Sequence, residues 1–82
     1  MTKDEIRATV LRVLGDIAPE ADLGALKPDV DLREQLDLDS MDVLNLAIAL
    51  HRLTGIAVPE VDMPRVVSLD GAVGYLAERV RS

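Results

Sequence analysis

The sequence predicts an all-α fold: a small four-helix bundle of three main helices plus a short third one, with a long loop between the first two. Three observations carry that expectation. Apolar residues return at intervals of three and four in three separate segments, the period of a helix with one buried face. Nowhere do apolar and polar residues alternate as they would along a half-buried strand. Each periodic segment is also preceded by a residue suited to capping a helix, namely Thr2, Asp39 and Ser68.

The first helix begins at a capping box, Thr2 with Glu5 three residues on. Ile6, Val10, Val13, Leu14 and Ile17 form its inner stripe, and Lys3, Arg7 and Arg12 are left for the outside. Ala18-Pro19 ends it, because the residue before proline avoids helical backbone. Between Pro19 and Asp39 no period holds, and Gly24, Pro28 and scattered acids read as loop. Leu23, Leu26, Val30, Leu32, Leu36 and Leu38 are available to pin that loop to the core. A structureless loop of about 20 residues is unusual in a compact domain, and such loops tend to be functional.

The strongest helix follows, from about Ser40 to Thr54. Asp39 is its expected N-cap, Asp42 adds negative charge to the first turn, and Gly55 suits the left-handed residue after its end, with Ile56 supplying an apolar contact. Val43, Leu44, Leu46, Ala47, Leu50 and Leu53 cover a broad inward arc; Asp42, Asn45, Ala49 and Arg52 fall opposite, with Met41 and Ile48 at the border. A short acidic piece, Glu60 to about Val66, is interrupted by Pro64 and allows one or two helical turns. The last helix runs from about Leu69 to Arg81 behind the N-cap Ser68, burying Leu69, Ala72, Val73, Leu76 and Val80. Arg79 and Arg81 complement its C-terminal dipole.

Composition narrows the function. Residues 1–82 make one small domain. Tyr75 is the only aromatic residue, so the core is built from side chains that rearrange without moving large rings. A formal charge of −6 makes nucleic acid an unsuitable partner and favours basic protein surfaces. Absence of cysteine excludes disulfides and thiolate zinc sites and fits a reducing compartment. The first residues lack the basic start and apolar stretch of a signal peptide, and no apolar run approaches the ~18–20 residues that cross a membrane. The expectation is a soluble, cytoplasmic monomer without membrane contact.

Ser40, His51 and the aspartates offer the residue types of a catalytic triad, but not its geometry. Eleven residues along one helix separate Ser40 from His51 by about 16 Å, whereas a general base works at about 3 Å. His51 reads as a surface or boundary residue, and no enzymatic role is expected. Asp29, Asp31, Glu34, Asp37, Asp39 and Asp42 stand against Arg33 alone, yet the glycine that a calcium loop needs at its sixth position is missing. They read as a solvated acidic loop, with no metal site. Ser40 differs in its setting: a long loop delivers a hydroxyl to the start of the most apolar helix, where free N–H groups and the dipole favour an attached anion.

The residues around Ser40 resemble a known family. Leu36-Asp37-Leu38-Asp39-Ser40-Met41-Asp42 is similar to the Asp-Ser-Leu/Met attachment motif of acyl carrier proteins. The likeness continues in step over about 70 residues. It takes in Leu26-Lys27-Pro28, Gly55-Ile56-Ala57-Val58-Pro59-Glu60, Arg65-Val66-Val67-Ser68-Leu69 and Val73-Gly74-Tyr75-Leu76. The resemblance implies that Ser40, flanked by Asp39 and Met41, receives 4′-phosphopantetheine from coenzyme A through a phosphopantetheinyl transferase. It also implies that the arm's thiol carries cargo as a thioester. Loading would fall to an acyl- or aminoacyl-ligase, and the cargo would pass to downstream acyl-transfer enzymes of fatty-acid, polyketide or related metabolism. Partner recognition would use Asp39, Met41, Asp42, Leu44, Asn45, Ile48 and Arg52, although Met41, Leu44 and Ile48 also suit plain packing.

Two departures stand out. Family members often carry glycine where this chain has Asp37, and Asn45, His51 and Arg52 occupy positions that are typically acidic in fatty-acid carriers. Arg52 reverses a charge, which implies a free-standing specialised carrier with dedicated enzymes. Two other readings remain beside an acyl carrier. One is an aminoacyl carrier, although Asp42 stands where D-alanyl carriers tend to have glycine. The other is an acidic helical adaptor without a prosthetic group.

Overall fold

In the computed structural model, which describes residues 1–80, the chain starts at the expected capping box. The Thr2 hydroxyl accepts from the Glu5 N–H at 3.1 Å, and Glu5 reaches back to the Thr2 N–H at 2.8 Å. Helix α1 spans Lys3–Ile17 and stops at Ala18, ahead of Pro19. Ile6, Val10, Val13 and Leu14 are buried, and Ile17 packs half-buried at the edge of the core.

The stretch from residue 19 to residue 39 is not the structureless loop that its lack of period suggested. A 3₁₀ turn covers Leu23–Ala25, capped by Asp22, whose side chain accepts from the Gly24 N–H at 3.1 Å. One α-helical turn, α2, covers Leu32–Gln35 and is capped by Asp31. Four residues are too few to display a 3.6-residue period, so only the Asp31-Leu32 pair marks this turn in the sequence. Gln35 clasps the loop: its amide accepts from the Lys27 N–H at 2.7 Å and donates to the carbonyls of Lys27 and Val30 at 2.7 and 2.8 Å. Backbone bonds then tie the loop to the last helix and to the residues just before it, from Asp70 N–H to Pro28 and from Leu32 N–H to Val67. Leu32 and Leu38 are buried, while Leu23, Leu26 and Leu36 pack half-buried against the core.

Helix α3 spans Ser40–Thr54 and ends at Gly55, whose φ of 76° is the left-handed conformation that glycine adopts without penalty. Its buried residues are Val43, Leu46, Ala47 and Leu50. This arc is narrower than expected: Leu44 and Leu53, assigned to the inner face, are 47% and 50% exposed. Leu44 lies about 60° beyond the edge of the buried arc, and Leu53 is in the final turn. Ala49, expected outside, instead packs half-buried against the core.

The short third helix forms over Glu60–Val66, as a 3₁₀ helix. Helix α4 follows over Leu69–Val80, with the Ser68 hydroxyl accepting from the Gly71 N–H at 3.0 Å. Leu69, Ala72, Val73 and Leu76 are buried and Val80 packs at the core's edge; Arg81 lies outside the described residues. Tyr75, which the helical pattern did not assign to the core, is only 2% exposed. Helix α1 packs against both α3 and α4, and the Glu60–Val66 stretch packs on α4. The result is the expected all-α bundle, with no strand among the described residues. No helix among them is long and apolar enough to cross a membrane.

Candidate functional site

The end of α2 aims the chain at α3. Leu36 closes the turn, Asp37 takes left-handed backbone with φ 54°, and the Leu38 N–H reaches the Arg33 carbonyl at 3.1 Å. That six-to-one bond is the signature of a Schellman motif. Aspartate is among the few residues other than glycine that visit this conformation, so the departure at position 37 keeps the backbone shape. The turn buries Leu38 and leaves Asp39 and Ser40 exposed.

Asp39, and not Ser40, caps α3. Its carboxylate accepts from the Asp42 N–H at 2.9 Å, and the Asp42 carboxylate accepts from the Asp39 N–H at 3.2 Å. Two aspartates thus form a reciprocal capping box. Ser40 becomes the first residue inside the helix, its hydroxyl exposed and without a hydrogen-bond partner among the described residues. The N–H groups at a helix start have no helical acceptor and sit at the positive end of the dipole.

Ser40 also opens onto a groove of ≈ 690 Å³. Helix α3 lines it with Val43, Leu44, Ala47, Ile48 and His51. Val58, Glu60 and Met63 from the segment after α3 also line it, as does Arg33 of α2. Arg33 is held in a two-pronged pair with Asp31, with contacts of 2.6 and 3.0 Å. The guanidinium's hydrogen bonds keep the Asp31 carboxyl below its usual range.

The Glu60–Val66 wall is fastened to α4 by Tyr75. Its hydroxyl donates to Asp62 at 2.7 Å, and the Arg79 guanidinium lies 3.5 Å from the ring centroid. Arg65 stands 5.0 Å from the same ring. The bond to Asp62, followed by burial, raises the Tyr75 pKa.

Of the residues proposed for partner recognition, Asp39, Met41, Leu44, Asn45, Ile48 and Arg52 are exposed, with Met41 at 61% and Ile48 at 48%. Asp42 is half-buried and committed to the capping box. Together Met41, Leu44 and Ile48 form an apolar stripe along α3, flanked by Asn45 and Arg52. His51 is exposed on the same helix as Ser40, eleven positions away, which keeps the two apart as expected. Sequence reasoning missed Arg33, Glu60 and Met63 as residues that line one groove with Ser40, because tertiary packing alone brings them there.

Comparison with known proteins decides the family. Residues 4–76 match the family described as "Phosphopantetheine attachment site". The chain belongs to that family. Its relatives include an acyl carrier protein of Campylobacter hominis, 33% identical over 73 residues that cover 89% of this chain and 86% of the relative. An acyl carrier protein of Rubrobacter xylanophilus is 26% identical over 78 residues, 95% of each chain. Polyketide-8 synthase acyl carrier protein 2 of Streptomyces avermitilis is 26% identical over 80 residues, covering 98% of this chain and 86% of the relative. Members of the phosphopantetheine-attachment family are carriers and not catalysts, and phosphopantetheine is their prosthetic group. The residues present fit such a group: an exposed hydroxyl with no competing partner among the described residues opens on a groove with room for a flexible chain.

Proposed function

We propose that this chain, residues 1–82, is a cytoplasmic, monomeric acyl carrier whose 4′-phosphopantetheine arm is attached to Ser40. The arm's thiol supplies a thioester linkage for an acyl group of fatty-acid, polyketide or related metabolism. The observation that carries the reading is the division of labour at the start of α3. Asp39 and Asp42 satisfy the helix start, so the adjacent Ser40 hydroxyl is free for a transferase to use. Asp39 and Met41 flank the attachment point; the neighbouring first-turn N–H groups suit a phosphate oxygen.

Incubation with coenzyme A and a broad-specificity phosphopantetheinyl transferase is expected to add one phosphopantetheine to the intact mass. Ser40→Ala is expected to abolish the gain. An unchanged mass for the parent protein, or an undiminished gain in the variant, overturns the assignment.

The loading ligase and the downstream acyl-transfer enzymes are proposed to dock on the α3 stripe, where Met41, Leu44 and Ile48 are exposed beside Asp39, Asp42, Asn45 and Arg52. A basic enzyme groove shaped for an all-acidic helix meets a repulsive charge at Arg52. Generic fatty-acid enzymes are therefore expected to acylate the loaded protein slowly, and Arg52→Glu to speed them. Equal rates for parent and variant refute the dedicated-partner reading.

A further inference from the structure

We propose that the enzyme dedicated to this carrier presents a carboxylate to Arg52, beside an apolar surface that takes Met41, Leu44 and Ile48. The inference deepens the proposed docking on α3 and rests on it. At about 100° per residue, Met41, Ile48 and Arg52 fall within about 40° of one another around the helix, with Leu44 and Asn45 on the two flanks. All five side chains are exposed. Arg52 stands one turn, about 6 Å, beyond Ile48 and about 16 Å beyond Met41. It is the only charged residue of the five, and it is positive in a chain of formal charge −6.

Arg52 also differs from most of the other arginines. Arg7, Arg33, Arg65 and Arg79 each have a carboxylate within 4.0 Å, whereas Arg12 and Arg52 have none among the described residues. Helix α1 exposes no large apolar side chain, so Arg12 adjoins no docking stripe. Arg52 adjoins one. Its place in the last turn of α3 complements the helix dipole, but no acceptor bonds its guanidinium among the described residues. When Met41, Leu44 and Ile48 lose water against an apolar surface, the guanidinium beside them needs an acceptor in that surface. A carboxylate supplies two oxygens in matching geometry. A second copy of this chain could not supply it from the same face, because Met41, Leu44, Asn45 and Ile48 carry no charge. An anionic membrane is disfavoured by the charge of the whole chain.

Two synthetic peptides test this against the unmodified protein. Each forms an amphipathic helix with the same leucine stripe; one carries Glu one turn beyond the stripe, and the other carries Lys in its place. They are titrated into isotope-labelled protein and followed by NMR at physiological ionic strength, where charges more than about 8 Å apart are largely screened. The α3 signals from Met41 to Arg52 are expected to move, and the Glu peptide to bind about threefold more tightly than the Lys peptide. The sign is informative, since the chain's overall charge favours the Lys peptide. Arg52→Glu is expected to reverse the preference, and Arg12→Glu, an equal change of charge on α1, to leave it. Equal affinities, a preference that survives Arg52→Glu, or one lost equally in Arg12→Glu overturn the inference. So does self-association through α3, or the same shifts on anionic phospholipid vesicles, either of which gives the stripe another occupant. Shifts confined elsewhere, or none, take the α3 docking reading down as well. The carrier reading is tested apart from these, by the mass gain at Ser40.

Discussion

Replacing Gly71 with alanine is expected to destabilise the bundle, while the same replacement at Gly74, three residues along the same helix, is expected to stabilise it. Both glycines lie in α4, where alanine is favoured over glycine by about 0.8–1.0 kcal/mol per residue. A Cβ at Gly74 would meet no atom within 4 Å, so that gain is realised in full. A Cβ at Gly71 would stand 2.4 Å from the Arg65 carbonyl oxygen and 2.8 Å from the Ser68 hydroxyl. The first contact forces the backbone of the Glu60–Val66 stretch away from α4, an overpacking cost of about 1–3 kcal/mol. The second displaces the hydroxyl that caps α4, which costs about 1 kcal/mol more. Set against the propensity gain, the net loss is about 1–3 kcal/mol. For a domain of this size each kcal/mol moves the melting temperature by about 4–8 °C. Thermal and urea unfolding followed by far-ultraviolet circular dichroism reads both variants. A Gly71→Ala protein that melts at or above the parent would show that the Arg65 carbonyl yields freely, and the argument for close packing there would fail.

Two further expectations concern the loop and the Tyr75 clamp. Asp37→Gly should raise the urea midpoint by an amount equivalent to about 0.5–1 kcal/mol, and Asp37→Val should lower it by about 1–2 kcal/mol, because position 37 is left-handed. Identical midpoints for all three proteins would contradict that conformation. Tyr75 is the chain's one tyrosine, so near-ultraviolet absorbance follows its ionisation alone. Its hydrogen bond to Asp62 favours the neutral phenol in the folded state and raises its pKa. Stability linked to that proton is therefore complete below about pH 10 and is lost as pH rises through the raised value. Asp62→Ala should bring the titration back towards about 10; an unmoved midpoint would mean that the bond does not hold the proton.

The helices were legible because their signals are local. Thr2 with Glu5, Asp39 with Asp42, and Ser68 each mark a start that the backbone confirms, and Gly55 marks a stop. The inner stripe of α1 also followed directly from spacing. What spacing could not convey was how wide an arc of α3 its neighbours would cover. Leu44 and Leu53 were placed inside on hydrophobicity, yet α3 presents them to solvent, since the burial of a border residue depends on partners distant in sequence. Tyr75 erred in the opposite direction: its phenol tip hid a core position until Asp62 and Arg79 supplied the polar contacts that burial requires. The turn at Leu32–Gln35 was too short for a period, although its Asp31 cap was in plain sight. At the site, the Asp39 cap and the exposure of Ser40 beside it could be read from the sequence, whereas the groove could not.

Two carboxylates at the start of α3 oppose the attraction that its first-turn N–H groups offer a phosphate, and that opposition bears on how a carrier with Ser40 as its attachment point would work. Asp39 and Asp42 already place two carboxylates there, and a phosphodiester on Ser40 would add a third negative charge within one helical turn. Exposure to solvent keeps the repulsion small, since two unit charges about 4 Å apart in water interact by about 1 kcal/mol. Its direction still matters, because it pushes the phosphate off the capping box. Arg33 borders the groove onto which Ser40 opens and provides a positive charge on that side, softened by its pair with Asp31. Asp39 is therefore useful in two ways. It satisfies the helix so that the serine need not, and together with Asp42 it would bias an arm carried on Ser40, as proposed, out over the groove.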